Sequence, residues 1–549
     1  IRIMKLSKEA IPMNFVTPAG FRDVLPEEAC LREDLGHKVQ TCFARRGYAP
    51  IETPTLEVMD VMEAGGRIPG APFKLFDSQG DLLAMRPDVT LQVARMCATR
   101  LKDAPGPFKF RYTQRVFRET DKQASARELT QIGIESIGES GPAADAELVG
   151  LFAEALSECG VGNFTLALGT VGVLRALLEA CPATDAWKTA VLEAYHASNF
   201  VELDMLVAQP DIPGQFSLAV QMLPHIRGGR AAIDAVRTLV APLGCADGLD
   251  EFEKTYDYLV EDGLADCVSI DFSVMSSFDY YTGIVIEAYV PGLGTPLGSG
   301  GRYDNMLAAY GQNRPAAGFA FSLEQVMAAL SAGDVAREKP LRIAVPKGSL
   351  NTDTIEVLTR AGLDTTGLKN PGRQLIIRNP GVEYIIVRPT DAPVFVALGA
   401  ADCGICGKDS LLEAALDVVE LADLKFGACR FIVAEPADAG EVASAHYRKL
   451  GSIRVATKYP RITKAYYAQI GMQVEIVKLH GNIELAPLTG MAERIVDITA
   501  TGTTLRENNL VVVDEVLAST ARFFANTCAF RMDERIGLLA ESLQKQTKE

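Results

Sequence analysis

The hydrophobic pattern of the chain changes near its middle. Residues 26–47 carry apolar side chains at helical spacing, with a proline and acids at the start and Gly47 at the end, and predict an amphipathic helix. Residues 108–118 (FKFRYTQRVFR) alternate aromatic and basic side chains, which is the period of a strand with one cationic face. With a second strand at 128–135 (ELTQIGIE), it makes a hairpin. Such a hairpin can hold a phosphate and a flat ring, or be no more than a solvated strand face. Short strands are expected at 48–51, 73–77 and 82–85, and residues 141–240 read as mostly helical. Strands return over 269–289. A glycine turn into a helix is expected at 298–304, and an apolar strand at 317–324 enters another helix.

From residue 341 short apolar runs alternate with helical segments. Strands are predicted at 341–345, 376–377, 384–387 and 402–406, with helices at 352–361, at 394–398 and from 407 onward. That alternation implies an α/β domain whose ligand-bearing turns lie at strand C-termini. Charged turns occur at Lys347, at Arg388 with Asp391, and at Lys408 with Asp409. Singly each is an ordinary surface charge; together at neighbouring strand ends they favour a polyphosphate. A second lobe starts with a strand at 453–457, followed by a helix at 462–470 and a strand at 474–478. Residues 494–510 (RIVDITATGTTLRENNL) then read as a strand, a hydroxyl-rich turn around Gly502, and a capping box from Thr504 to Glu507 that starts a helix. Such a turn is an anion cradle, because free N–H groups and the helix dipole both point at it. Thr499, Thr501, Thr503 and Thr504 add hydroxyls, Gly502 permits close approach, and Asp497 suits a sugar diol or a metal. The plainer alternative is a well-capped turn that binds nothing. Residues 511–517 and the helix after Arg522 are expected to return to the first lobe. Two lobes around a cleft match periplasmic-binding-protein architecture, in which hinge closure traps a ligand.

Composition narrows the picture. At 549 residues the chain exceeds a single ordinary core. A net charge of -16 argues against a broad nucleic-acid or membrane surface while leaving room for a local basic pocket. Residues 1–15 lack the features of a signal peptide, and the eleven cysteines are scattered, so a cytoplasmic protein with reduced thiols is expected. The CxxC pair Cys403 and Cys406 lies in an apolar run and reads as structural. Residues 331–340 are small, polar and proline-ended, as in a linker.

Several of these pieces resemble a known family. FRYTQRVFRET, SGGRYDNML, GFAFSLEQ, FDYYTG and RPDVT, spread over 15–330, resemble the catalytic core of histidyl-tRNA synthetases, a class II antiparallel-sheet fold. Arg118 stands in the place of the ATP-phosphate arginine. The departures are Gln325 where the third motif ends in arginine, and Ser276-Ser277 where Arg-Gly precedes the histidine motif. Both remove a permanent cation that activation chemistry needs. The resemblance therefore implies a histidine pocket without tRNA charging, as in the regulatory subunit of ATP phosphoribosyltransferase. Its candidates are Asp88, Arg118, Gln131, Glu135, Tyr280 and Tyr281. Free histidine needs an anion for its ammonium group, polar partners for its imidazole and aromatic walls. Core tyrosines and helix-cap acids are the plainer reading of the same residues.

Residues 341–548 resemble the short-form catalytic subunit of ATP phosphoribosyltransferase through RIAVPKG, RPTDAP, ADCGICGKDSLLE, LADLKFGACR, RVATKY, GNIELAP and VDITATGTTLRENNL, in that order. Ser349 and Asn482 depart from the usual arginine and serine. The resemblance implies transfer of phosphoribosyl from phosphoribosyl pyrophosphate to N1 of ATP, releasing pyrophosphate, with histidine as inhibitor acting through the first half. It implies a phosphoribosyl pyrophosphate site at Asp497, Thr499, Ala500, Thr501, Gly502, Thr503 and Thr504. Arg388, Lys347 and Arg373 would neutralise the pyrophosphate, and Lys408 and Glu484 would lie near ATP. Mg²⁺ would be carried by substrate phosphates without dedicated ligands. A homo-oligomer on the scale of a tetramer is implied, with neither nucleic acid nor membrane as partner. The expected division is a regulatory domain at 1–330, the linker, and a catalytic domain at 341–549, with lobe I at about 341–435 and 519–549 and lobe II at about 436–518. The alternative reading is a histidyl-tRNA-synthetase-like enzyme with an appended ligand-binding domain.

Overall fold

The aromatic–basic stretch forms the strand Phe108–Phe117, paired antiparallel with Glu128–Ile137 along its length. In this computed structural model the described residues are 16–65, 71–119, 126–275, 280–332, 339–439, 442–499 and 502–547. Residues 1–15 and most of the expected linker lie outside them. The chain divides into two units. One holds Ile1–Thr184, Pro210–Val290 and Pro296–Asp334; the other holds Asp185–Gln209, Pro291–Thr295 and Val335–Glu549.

The first unit is built on a nine-stranded, largely antiparallel sheet. Its centre runs Phe108–Phe117, Glu128–Ile137, Ala316–Ser322, Gly298–Arg302 and Ile284–Tyr289. The helices Pro26–Arg45 and Pro142–Glu158 bury apolar stripes, and Phe152 stacks on Phe319 at 4.4 Å. Two expectations are corrected here. The region expected to be mostly helical contains the strand Thr165–Thr170, which pairs with Ile284–Tyr289. Its run TLALGT is too short for periodicity to tell a buried strand from helix. The glycine segment is a strand, Gly298–Arg302, paired on both sides, rather than a turn into a helix.

The second unit has two sheets. The first runs Ile376–Asn379, Val382–Val387, Leu341–Pro346, Cys403–Gly407, Ala521–Ala525 and Val419–Asp423. Its middle three strands are parallel neighbours, so their C-terminal turns emerge at one end. Cys403 and Cys406 are free and buried there, and burial pushes both thiols well above their usual range. The second sheet runs Val474–Lys478, Ile453–Thr457, Arg494–Thr499, Cys429–Pro436 and Leu510–Ser519. Leu510–Ser519 thus pairs in the second lobe, and it is Ala521–Ala525 that returns to the first. Among the described residues, no helix is long and apolar enough to cross a membrane.

Candidate functional site

Strand register gathers the charged turns of the second unit. Pro346 sits opposite Val387, so Lys347 and Arg388 follow adjacent strand ends, tied by the Lys347 N–H to the Val387 carbonyl at 2.8 Å. Lys408 follows Cys403–Gly407, which lies on the other side of Leu341–Pro346. Lys347 and Arg373 line one cleft of about 500 Å³ with Asn351, Thr352 and Gln374. The side chains of Lys347, Arg373 and Arg388 are exposed, and among the described residues they form no ion pair. Lys408 differs: its ammonium is paired with buried Glu420.

In the second lobe, Arg494–Thr499 ends beside the hydroxyl-rich turn. Gly502 has φ 70° and is the N-cap of the helix Thr503–Glu507, with no side-chain cap bond. The predicted capping box is therefore corrected: Thr504 lies inside the helix, two residues beyond the cap position at Gly502. Thr499 holds the turn instead, its hydroxyl accepting the Gly502 N–H at 2.8 Å. Ala500 and Thr501 lie outside the described residues, while Thr503 and Thr504 are exposed. Burial raises the Asp497 carboxyl to about 6, against the pull of the Ile498 N–H; Glu484 adds like charge and Lys458 opposes it. Glu484 and Asp497 are thus electrostatic neighbours. Buried Tyr459 feels both Asp497 and Asp409, so the Lys408 turn and the Asp497 loop look onto the same region. Lys458 and Tyr459 were not among the sequence candidates, although RVATKY contains both.

The first unit assembles a buried cluster of polar side chains. Glu135 is 1% exposed. Its carboxyl meets the hydroxyls of Thr90 at 2.6 Å and Tyr112 at 3.3 Å, and that of Tyr303. A Cβ on Gly318 would lie 1.9 Å from Glu135 Oε2, so the glycine makes room for the carboxyl. Asp88 accepts the Thr90 N–H at 2.7 Å and the Gln131 side-chain amide at 3.4 Å. Gln131 Oε1 is buried with no hydrogen-bond partner among the described residues, an acceptor that could serve a ligand. Tyr280 packs 4.9 Å from Tyr281 and 5.7 Å from Tyr303. Asp88, Gln131, Glu135, Tyr280 and Tyr281 therefore share one environment. Arg118 is turned to the Pro87 carbonyl at 2.9 Å, and Arg86 is a buried brace on the Thr53, Pro54 and Arg115 carbonyls. Thr90, Tyr112 and Tyr303 are the members that sequence reasoning missed; each sits inside a quoted motif, and only the fold brings them to Glu135. Ser276 and Ser277 lie outside the described residues.

Burial raises the Glu135 carboxyl to about 8, so it is largely protonated at neutral pH. The folded value lies above the unfolded one. The stability contributed by the protonated form is therefore complete below about 4.5 and is lost as pH rises through 8. Glu135→Gln keeps a neutral group of the same shape. It should flatten the fall in melting temperature between pH 6 and 9, read by thermal unfolding of both proteins across that range. An identical fall in both would contradict the assignment.

Comparison with known proteins finds two families along the chain. Residues 20–326 match the family model for histidyl-tRNA synthetase, and residues 388–545 match that for ATP phosphoribosyltransferase. An ATP phosphoribosyltransferase regulatory subunit of Moorella thermoacetica is 37% identical over 57% of this chain and 81% of its own. An ATP phosphoribosyltransferase of the same organism is 49% identical over 37% of this chain and 92% of its own. A Bacillus halodurans structure described as an ATP phosphoribosyltransferase regulatory subunit/histidyl-tRNA synthetase superposes with TM-score 0.55 at 29% identity, covering 69% of this chain and 94% of that one.

Proposed function

The chain belongs to the ATP phosphoribosyltransferase family, with a regulatory-subunit-like first half and a catalytic second half in one polypeptide, and on that basis we propose that it forms phosphoribosyl-ATP under the control of free histidine. The reaction is the first step of histidine biosynthesis. The observation that carries the site assignment is the register that puts Lys347 and Arg388 at adjacent strand ends.

In the reaction, adenine N1 attacks the anomeric carbon as pyrophosphate departs, through a transition state with oxocarbenium character, by analogy with other glycosyl transfers. Positioning and charge stabilisation then supply most of the catalysis. Lys347, Arg373 and Arg388 bind the pyrophosphate and meet the charge that grows on it. The Gly502 turn, with Thr499, Thr503 and Thr504, binds the 5′-phosphate, and Asp497 orients the ribose hydroxyls. Lys408 and Glu484 lie on the ATP side. Among the described residues no group of three or more acidic, histidine or cysteine side chains stands ready for a metal. Mg²⁺ suits the site as an ion carried by substrate phosphates, with Asp497 as a protein carboxylate within reach, and it supplies charge neutralisation of the leaving group.

Asp497 gives this reading a pH signature. As pH falls through about 6 the carboxyl protonates and loses its hold on the ribose. The KM for phosphoribosyl pyrophosphate should then rise by about tenfold per pH unit, the limit for one essential ionisation. Asp497→Asn should abolish that acid limb with the same substrate. Parallel limbs in both proteins would remove Asp497 from the site.

In the first half, Asp88 suits a ligand ammonium, and Gln131 Oε1 and Glu135 suit an imidazole between tyrosine walls. The general test is direct. Purified full-length chain should form phosphoribosyl-ATP and should show no histidine-dependent ATP–pyrophosphate exchange. Exchange without phosphoribosyl-ATP would overturn the proposal.

A further inference from the structure

A segment of the synthetase-like half is built into the second unit. The helices Asp185–His196 and Phe200–Val207, joined at Ala197-Ser198-Asn199, belong to it. Trp187 Nε1 ties the pair together by donating to the Leu206 carbonyl at 2.9 Å. Their junction meets the outer edge of the six-stranded sheet. Val419–Asp423 is the last strand there, paired on its inner side with Ala521–Ala525. On its outer side the Glu420 N–H donates to the Ser198 carbonyl at 3.1 Å, and Asn199 forms a parallel bridge with Glu420. Ser198 has φ 49°, a left-handed turn that aims its carbonyl at the strand. Two residues on, Phe200 is 2% exposed. It enters the core that contains Leu341, Val419 and Phe530, with its ring 6.0 Å from that of Phe530. Backbone pairing and an inserted aromatic together make a specific dock, one that removes a sheet edge otherwise open to aggregation.

The strand residue that the junction grips does more than close the edge. Glu420 is buried, and its carboxylate holds two cations: Lys408 through one oxygen and Arg522 Nε at 2.8 Å through the other. Arg522 is held in turn by Asp423 and Thr520. A buried carboxylate carrying two cations has one workable position, because moving it leaves charges unpaired in a dry region. Lys408 begins the helix at the end of the strand Cys403–Gly407, among the charged turns of the site.

We propose that the Asp185–Val207 helix pair is a positioning element of the catalytic half, docked by Ser198, Asn199 and Phe200 so that Glu420 holds Lys408 in place. The docking stands on geometry alone; the positioning half rests on the reading that Lys408 faces ATP. Through this segment the chain of the regulatory half supplies part of the catalytic framework, and in a covalent fusion it does so in every molecule.

The test uses the full-length chain and two readouts. Hydrogen–deuterium exchange is followed on the peptide containing Glu420, whose amide the Ser198 carbonyl protects, and KM values are measured for both substrates. Phe200→Ala should speed exchange at Glu420 by about tenfold or more, the sign of a lost local dock. It should raise KM for ATP by about fivefold while leaving KM for phosphoribosyl pyrophosphate within about twofold. Phe200→Leu should restore both. Should Phe200→Ala fail to fold, Asn199→Ala removes the helix cap that accepts the Glu202 N–H and should give the same pattern more weakly. Unchanged exchange at Glu420 overturns the dock. Faster exchange with unchanged KM for ATP overturns the positioning role. Lys408→Ala separates the two layers: unaffected KM for ATP there retires the ATP-side reading of the lysine and the positioning role with it, while the exchange result still judges the dock.

Discussion

Arg388→Ala should lower turnover by about two orders of magnitude, near the 3 kcal/mol scale for removing one preorganised charge partner of a transition state. Arg388 follows the strand Val382–Val387, with its backbone fixed by the Asp391 and Ala392 N–H groups, which donate to its carbonyl at 2.9 and 3.2 Å. Its guanidinium is exposed and, among the described residues, forms no ion pair to lose. Truncation should therefore leave the melting temperature unchanged while kcat falls. Lys substitution should recover only part of the rate, because a point charge does not reproduce the guanidinium fork. Steady-state formation of phosphoribosyl-ATP beside a thermal melt checks both halves of the expectation. Turnover within twofold of the parent would remove Arg388 from the chemistry.

The second large effect is expected at Gly502. Its φ of 70° belongs to the left-handed region, which a β-branched residue enters only with strain. A side chain there would also approach the Arg506 guanidinium, 3.4 Å from the Cβ position. Gly502→Val should distort the cradle at about 1–3 kcal/mol, the usual cost of such a conformation, and raise KM for phosphoribosyl pyrophosphate by about five- to a hundredfold. KM for ATP should change much less. Gly502→Ala should lie between the two. Normal phosphoribosyl pyrophosphate affinity in the valine variant would contradict the phosphate role of the turn.

Much of the architecture was legible because its periodicity is strong. The alternation in FKFRYTQRVF becomes a ten-residue strand, and the switch at residue 341 from mixed patterning to alternating strand and helix marks the α/β half. The misses have physical causes. Thr165–Thr170 is a buried strand between helices, and its apolar run is equally compatible with either state. Gly298–Arg302 reads as a turn in isolation because nothing local shows that strands flank it on both sides. The apparent capping box at Thr504 fails because Gly502, two residues earlier, can take the left-handed conformation and start the helix first. At the candidate sites, motif residues such as Asp88, Glu135, Lys347 and Arg388 could be picked out one by one as candidates. Thr90, Tyr112 and Tyr303 could not, because their role depends on strand register bringing hydroxyls to one carboxyl. The Ser198–Glu420 contact spans residues far apart in sequence and leaves no local pattern at all.

The central claim joins a transferase to a histidine-responsive half in one chain. Its most direct measurement is the rate of phosphoribosyl-ATP formation as histidine is added, in the parent chain and in Asp88→Ala. Asp88 lies in the first unit and is 4% exposed, and it accepts from the Gln131 side-chain amide. The expected result is inhibition of the parent by histidine and, in Asp88→Ala, an uninhibited rate equal to that of the parent with at least tenfold weaker inhibition, about the 1.4 kcal/mol or more that one charge-assisted contact contributes. Inhibition that persists unchanged in Asp88→Ala would contradict the account.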